Sequence, residues 1–254
     1  LTEAAAQARP GLQFTRDLDE FDLPWLSKFE MLVTRRAPGI SRAPGNYKMV
    51  EQGEYYTVWR RTSPTPAPVH VPLSSAPTVA DRNVCRASLR RHRSAPRVSV
   101  APGARAVSAQ LNPETISPNL SLVPDGTAAN VSGPGRVQGS LSVPRGGRYD
   151  LYLLTTARRP VRVELDGRSL GEFSANGYEP RPVLIGTPRL RAGRHSVRLT
   201  RPGGSLSPGD VDPAGSALGP LWAVPAGALH PAVVTASGPE ARCGSRIDWI
   251  EVRR

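Results

Sequence analysis

The sequence predicts a mainly β protein, a sandwich or barrel preceded by a small N-terminal unit, α/β or β-hairpin in character. Three observations carry this. Proline and glycine number 27 and 24 in 254 residues, a richness that suits short strands joined by tight turns rather than long helices. From residue 81 onward, alternating apolar runs recur about every ten residues with turn residues between them. The final stretch, CGSRIDWIEVRR (243–254), passes from a cysteine through a turn into one more alternating run.

The first unit, residues 1–62, opens with LTEAAAQA, which has the composition of a helix tail. An acidic segment, RDLDEFD, follows with Asp17, Asp19, Glu20 and Asp22, and then a strand-like run at 29–34. Clustered carboxylates can hold a hard cation, but an exposed acidic segment at a helix start is the reading we expect here. YKMVEQGEYYTVWRR (47–61) places two alternating runs around Gln52-Gly53, the pattern of a β-hairpin. Residues 63–80, SPTPAPVHVPLSSAPTVA, are proline-rich and almost uncharged. Each proline fixes φ and removes a donor, so this segment reads as a linker or a strap, with a domain boundary.

The remainder, 81–254, reads as one sandwich. RVSVAP, RVQGSLSVP, RYDLYLLTTA, VRVELDG, RSLGEFS, VLIGTPRLRAG and RHSVRLTRPGG succeed one another as strands. Asp166-Gly167 lies between two alternating segments, and a type I′ turn needs positive φ at both central positions. Val161, Val163 and Leu165 share one face, as do His195, Val197 and Leu199. The run around Leu151 and Leu153 is apolar on both faces and predicts a central strand. In the terminal run, Ile247, Trp249 and Glu251 alternate with Asp248, Ile250 and Val252, so that strand too is expected to have neighbours, closing the sandwich.

Charge and cysteines bound the setting. Lys and Arg total 33 against 21 Asp and Glu, for a net charge of +12, and only Lys28 and Lys48 are lysines. Such a balance favours anionic partners: phospholipid headgroups, acidic glycans or nucleic acid. The densest basic run, Arg86, Arg90, Arg91 and Arg93, has no interleaved aromatics and no recognised nucleic-acid module, which argues against nucleic acid and leaves a solvated face or anionic lipid. Cys85 and Cys243 lack metal-ligand spacing and are expected to form a disulfide in an oxidising compartment. The longest apolar stretch, 218–234, is broken by Pro220, Pro225, His230 and Pro231 and cannot span a bilayer. A start at Leu1 leads us to expect a processed product or a piece of a longer protein.

No catalytic constellation emerges. His70, His92, His195 and His230 are scattered, GGSLSPGD lacks the strand and helix that a phosphate loop needs, and no G-x-S-x-G occurs. Two loops have the composition of a glycan-contact surface, where an aromatic ring stacks on a sugar and polar groups bond its hydroxyls. One carries Asn176, Tyr178, Glu179 and Arg181; the other carries Asp210, Asp212 and Trp222.

GRYDLYL, VELDGRSLG, RLRAGRHSVRL and IDWIEV together resemble the galactose-binding-like jelly rolls of non-catalytic carbohydrate-binding modules, over 137–254. The resemblance implies a jelly-roll β-sandwich that binds glycan. It sets Asp248 at the position of an aspartate that ligates structural calcium in some of those modules, although the acidic pair they carry near the first strand is not evident. FEMLVTRRAPGISRAPGNYKMVEQGEYYTVWRR is similar to the extracytoplasmic tails of actinobacterial multi-pass glycosyltransferases that use polyprenyl-phosphate donors. That resemblance implies an extracytoplasmic, cell-surface location, an anchor in the membrane portion of the same polypeptide, and a cell-wall or lipid-linked glycan as partner. Catalysis would then lie outside this chain. A secreted glycoside hydrolase, which needs two acids facing one cleft, and an adhesion or protein-interaction module, which needs an exposed apolar patch, are the alternatives.

Overall fold

The computed structural model describes residues 17–65, 67, 69–73, 82–91, 97–157, 159–174, 181–203, 216–236, 243 and 246–253. LTEAAAQA lies outside them. In chain order, a 3-10 turn (Leu18–Glu20) and a short helix α1 (Leu23–Leu26) lead to β1 (Met31–Arg35), β2 (Tyr47–Gln52), β3 (Tyr56–Arg61) and β4 (Val69–Pro72). Helix α2 (Arg82–Arg91) precedes β5 (Arg97–Pro102). Strands β6 (Val107–Ser108), β7 (Gln110–Leu111), β8 (Leu120–Leu122), β9 (Ala129–Val131), β10 (Gly135–Val143) and β11 (Gly147–Thr155) follow. Then come β12 (Val161–Leu165), β13 (Arg168–Phe173), β14 (Arg181–Gly186), β15 (Arg189–Leu190), β16 (Gly193–Arg201) and β17 (Ala217–Pro225), before β18 (Val234–Ala236) and β19 (Ile247–Arg253).

The chain forms two compact units, one of residues 1–105 with 227–254 and one of residues 106–226. This division follows strand pairing rather than the composition shifts that suggest boundaries at 62 and 80.

The unit of residues 106–226 is the jelly-roll β-sandwich. One sheet runs β13-β12-β16-β10-β7 and the other β14-β11-β17-β9-β8, with β15 joined to β11 and β6 to β17. All their pairings are antiparallel. The expected faces are those that fill the core: Val161, Val163, Leu165, Val197 and Leu199 meet Leu151, Leu153, Leu221 and Ala223. β11 lies between β14 and β17, the interior position its two apolar faces predict. Asp166 and Gly167 have φ of 51° and 77°, so the β12–β13 turn has the positive φ at both positions expected of type I′.

Unit 106–226 thus holds the sandwich without the terminal strand. Residues 247–253 do form a strand, but it sits between β5 and β4 in a separate four-stranded sheet, β18-β5-β19-β4. The proline-rich stretch supplies β4 at that sheet's edge, where the missing N–H of Pro72 leaves no gap in an interior ladder. Arg86, Arg90 and Arg91 of the arginine run are exposed on helix α2, and Arg93 lies outside the described residues; Cys85 and Leu89, one helical turn apart, pack with Val98, Val100, Cys243, Ile250 and Val252. Cys85 and Cys243 are joined in a disulfide. The predicted hairpin is present as β2 and β3, with β1 on the far side of β3. Leu26, Leu32, Ala43, Tyr47 and Trp59 form the core beneath that sheet.

Candidate functional site

Two regions combine positioned polar groups with the geometry of a site. The first is one end of the sandwich. In the first sheet Glu172 pairs with Arg162, and Arg162 with Thr200, so the C-terminal ends of β13 and β16 lie on one row. In the second sheet Thr155 is the partner of both Arg181 and Leu218, so the N-terminal ends of β14 and β17 lie on one row as well. The segments 174–181 and 203–216, which carry the predicted glycan contacts, therefore leave the first sheet side by side and reach the second side by side. Antiparallel register alone brings the strand ends that border them together, across the intervening residues 182–202.

That end is stitched by side chains. Thr155 Oγ1 donates to Ala217 O at 3.0 Å, and Ala217 N donates to Thr156 Oγ1 at 2.8 Å. Arg162 Nη2 and Nε donate to Glu172 Oε1 at 2.6 and 3.1 Å. Asn176, Tyr178, Glu179, Asp210 and Asp212 lie outside the described residues, and Arg181 is placed by its backbone as the first residue of β14. Trp222 is not in the loop. It is a β17 residue opposite Tyr152 and only 8% exposed, because the strand starts at Ala217, earlier than the Gly/Pro-rich sequence suggests. Little of its ring is free to stack on a sugar.

His195 has the structural role expected of a strand histidine. Its Nδ1 lies 2.7 Å from Asp166 Oδ2 and its Nε2 2.9 Å from Arg191 O.

The second region is a buried acid–base layer in the unit of residues 1–105 and 227–254. It exists because of a bulge. Ile247 pairs with Pro102 and Trp249 with Ala101, so Asp248 is an extra residue in β19. An extra residue breaks the alternation: Ile247 joins Ile250 and Val252 in the apolar cluster with α2. Simple alternation, which separates Ile247 from those two, fails at this point.

Asp248 is 2% exposed and lies 3.2 Å from Arg246 Nη2. Burial raises its carboxyl to about 6, opposed by Arg246 and Arg42. Its charged neighbours are thus chiefly guanidinium groups, and among the described residues no cluster of three His, Cys, Asp or Glu side chains could hold a metal ion. Glu251, 1% exposed, accepts from Gly45 N at 2.7 Å, and the same oxygen lies 3.0 Å from His70 Nδ1. Trp249 Nε1 donates to Ala43 O at 3.2 Å.

Within the acidic segment Asp22 is exposed as expected, whereas Asp17 and Asp19 are half-buried. Asp17 caps the 3-10 turn, its Oδ1 accepting from Leu18 N at 2.7 Å and from Ser41 N at 3.0 Å. Ser41 Oγ lies 2.7 Å from Asp17 Oδ2 and 2.6 Å from Asp19 Oδ2. One hydroxyl has one proton, so two such short contacts to carboxyl oxygens require a second proton on a carboxyl group. Burial, then the charge of Asp17, push Asp19 up to about 7. Nothing in the spacing of RDLDEFD signals this; the partner Ser41 is distant in sequence. Asp19 and His70 line a cavity of about 190 Å³ whose walls include Leu18, Phe21, Leu26 and Pro72.

On the far side of Arg42, the guanidinium sits 5.6 Å above the Trp59 ring and donates to Pro231 O. His230 meets Trp59 edge-on at 5.0 Å. Burial, then Arg42, Arg246 and Arg36, lower His230 to about 4, so it is neutral at pH 7.

No protein-family model matches the chain, and no curated protein matches it. Among solved structures, the GH26-CBM35 β-(1,4)-mannanase of Podospora anserina matches with a TM-score of 0.30 and 14% identity, over 51% of this chain and 27% of that one. A family 35 carbohydrate-binding module from Clostridium thermocellum matches with a TM-score of 0.27 and 19% identity, over 50% of this chain and 96% of the module. One from an environmental isolate gives 0.27 and 13%, over 54% and 96%. Likeness of this extent assigns neither family nor function.

Proposed function

We propose that the chain is a non-catalytic glycan-binding module that works outside the cytoplasm. The observation that carries this reading is that β13 and β16 end on one row and β14 and β17 begin on one row, so the strands bordering two stretches rich in carboxylates, amide and tyrosine are neighbours at both sheets. Binding groups on loops held by a scaffold are the usual arrangement for ligand contact. The order of the quoted motifs along the strands supports the jelly-roll resemblance, and the disulfide suits an oxidising compartment.

The glycan is a cell-wall or lipid-linked polymer, and the module positions it for a membrane-anchored, polyprenyl-phosphate-dependent glycosyltransferase. The strand carboxylates of the sandwich favour binding over hydrolysis: Glu164 is held by Arg198 at 2.9 Å, Glu172 by Arg162, and Asp150 by Thr187 Oγ1 at 2.8 Å. A glycan array with arabinan, galactan and mannan fragments tests the proposal. Binding that weakens by about tenfold in Tyr178→Ala, and is lost when Asp210 and Asp212 are also replaced by Ala, is the expected result. No binding to any of the three polymers overturns it.

A further inference from the structure

We infer that the outer face of the β1-β3-β2 sheet is a docking surface for an anionic lipid bilayer. The inner face holds Leu32, Thr34, Thr57 and Trp59, all buried. On a sheet with one face in water, the alternate positions are expected to be polar. Here large apolar or aromatic side chains occupy part of that face: Met31 is 47%, Val33 63% and Tyr56 54% exposed.

Register shows how these side chains are laid out. Met31 lies opposite Arg60, which lies opposite Lys48; Val33 lies opposite Val58, which lies opposite Glu51; Arg35 lies opposite Tyr56. An apolar centre on β1 and β3 is thus flanked at both ends by cations, with one carboxylate on the edge strand β2. At the entry to β1, Trp25 stands between Phe21 and Phe29, with ring centroids 5.1 and 4.7 Å away. Trp25 and Phe29 are 36% and 42% exposed.

This composition suits lipid headgroups. Arginine and lysine can lay their stems on an apolar surface and reach phosphates with their charged ends. Tryptophan and tyrosine settle where an apolar medium meets water. Three cations border the apolar centre against one carboxylate, a local excess of positive charge that complements an anionic headgroup layer. The net charge of +12 adds long-range attraction to an anionic surface. The inference goes beyond glycan binding and does not depend on it.

The test is flotation of the purified chain with vesicles of phosphatidylcholine mixed with phosphatidylglycerol, against phosphatidylcholine alone. Binding to the anionic vesicles is expected, weakened by salt and by about five-fold for each of Arg35→Gln and Arg60→Gln. Met31→Ser with Val33→Ser is expected to abolish it while circular dichroism stays unchanged, since both positions are exposed. Failure to float, equal flotation of all variants, or self-association that Val33→Ser abolishes would each overturn the inference, the last by making the face a contact between copies of the chain.

Discussion

Asp166 and His195 are locked together at 2.7 Å between the turn of one hairpin and the strand beside it. The hydrogen bond that His195 donates to Asp166 raises the His195 pKa above its usual value, although burial opposes it. Burial pushes Asp166 up, but hydrogen bonds from His195 and the Ser196 amide more than offset this and leave it low. The stabilisation is lost as pH falls through the depressed value of Asp166, and again as pH rises through the raised value of His195. It is complete between the unfolded values of about 4 and about 6.5. In Asp166→Asn the turn is retained, because asparagine tolerates positive φ. We expect the NMR-detected His195 pKa to fall toward the ordinary range and the two pH-dependent losses in the urea midpoint to disappear.

The proton shared around Ser41 has the opposite signature. With Asp19 raised to about 7, the folded chain binds a proton that the unfolded chain releases near pH 4, so stability declines as pH rises from about 4 to about 7. His230, lowered to about 4, is protonated in the unfolded chain and not in the folded one, so it makes stability increase over pH 4 to 6.5. The two oppose each other in one window. Asp248, raised to about 6, sides with Asp19 over pH 4 to 6, so Asp19→Asn removes one of two declining contributions and its urea midpoint is expected to change more positively with pH than that of the wild type.

Reduction of the disulfide should be costly. Cys85 and Cys243 are 158 residues apart, and the chain-entropy model gives about 5 kcal/mol for a loop of that size. Urea unfolding of Cys85→Ser/Cys243→Ser is expected to show a loss of that order. A loss confined to the unit holding α2 and β19 would appear as two transitions instead of one.

Gly45 has no room for a side chain. A Cβ there would lie 2.3 Å from Glu251 Oε2 and 3.2 Å from Trp249 Cη2. Glu251 is held by Gly45 N and His70 and cannot swing aside without leaving buried groups unpaired. Gly45→Ala is expected to destabilise by about 1–3 kcal/mol in chemical denaturation, with Gly53→Ala, 3.6 Å from its nearest neighbour, as the mild control.

Much of the sandwich was legible in the sequence, because its signals are local. Asp166-Gly167 announces a turn by the φ that its residues allow, and Val161/Val163/Leu165 announce a face by period two. The pairing of the two cysteines followed from their number and spacing. What was not legible depends on partners distant in sequence. Asp248 becomes a bulge only against Ala101 and Pro102, and Asp19 becomes a buried acid only beside Ser41. The prolines of 63–80 look like a linker until β19 offers Val69–Pro72 an edge to pair with. Trp222 looks like a loop residue until Ala217 pairs with Asn130. The two proposed contact loops rest on composition, and register is what brings the strands that border them together.

The placement of β19 between β4 and β5 bears on how the chain is made. On the ribosome, residues 106–226 emerge as a continuous stretch that can collapse on its own, whereas the sheet of β4 and β5 must wait for residues that arrive more than a hundred positions later. Until then Val98 and Val100 have no strand to cover them, and such exposed edges invite pairing with other nascent chains. The topology therefore leaves β5 open for longer during synthesis than any strand whose partners lie within residues 106–226.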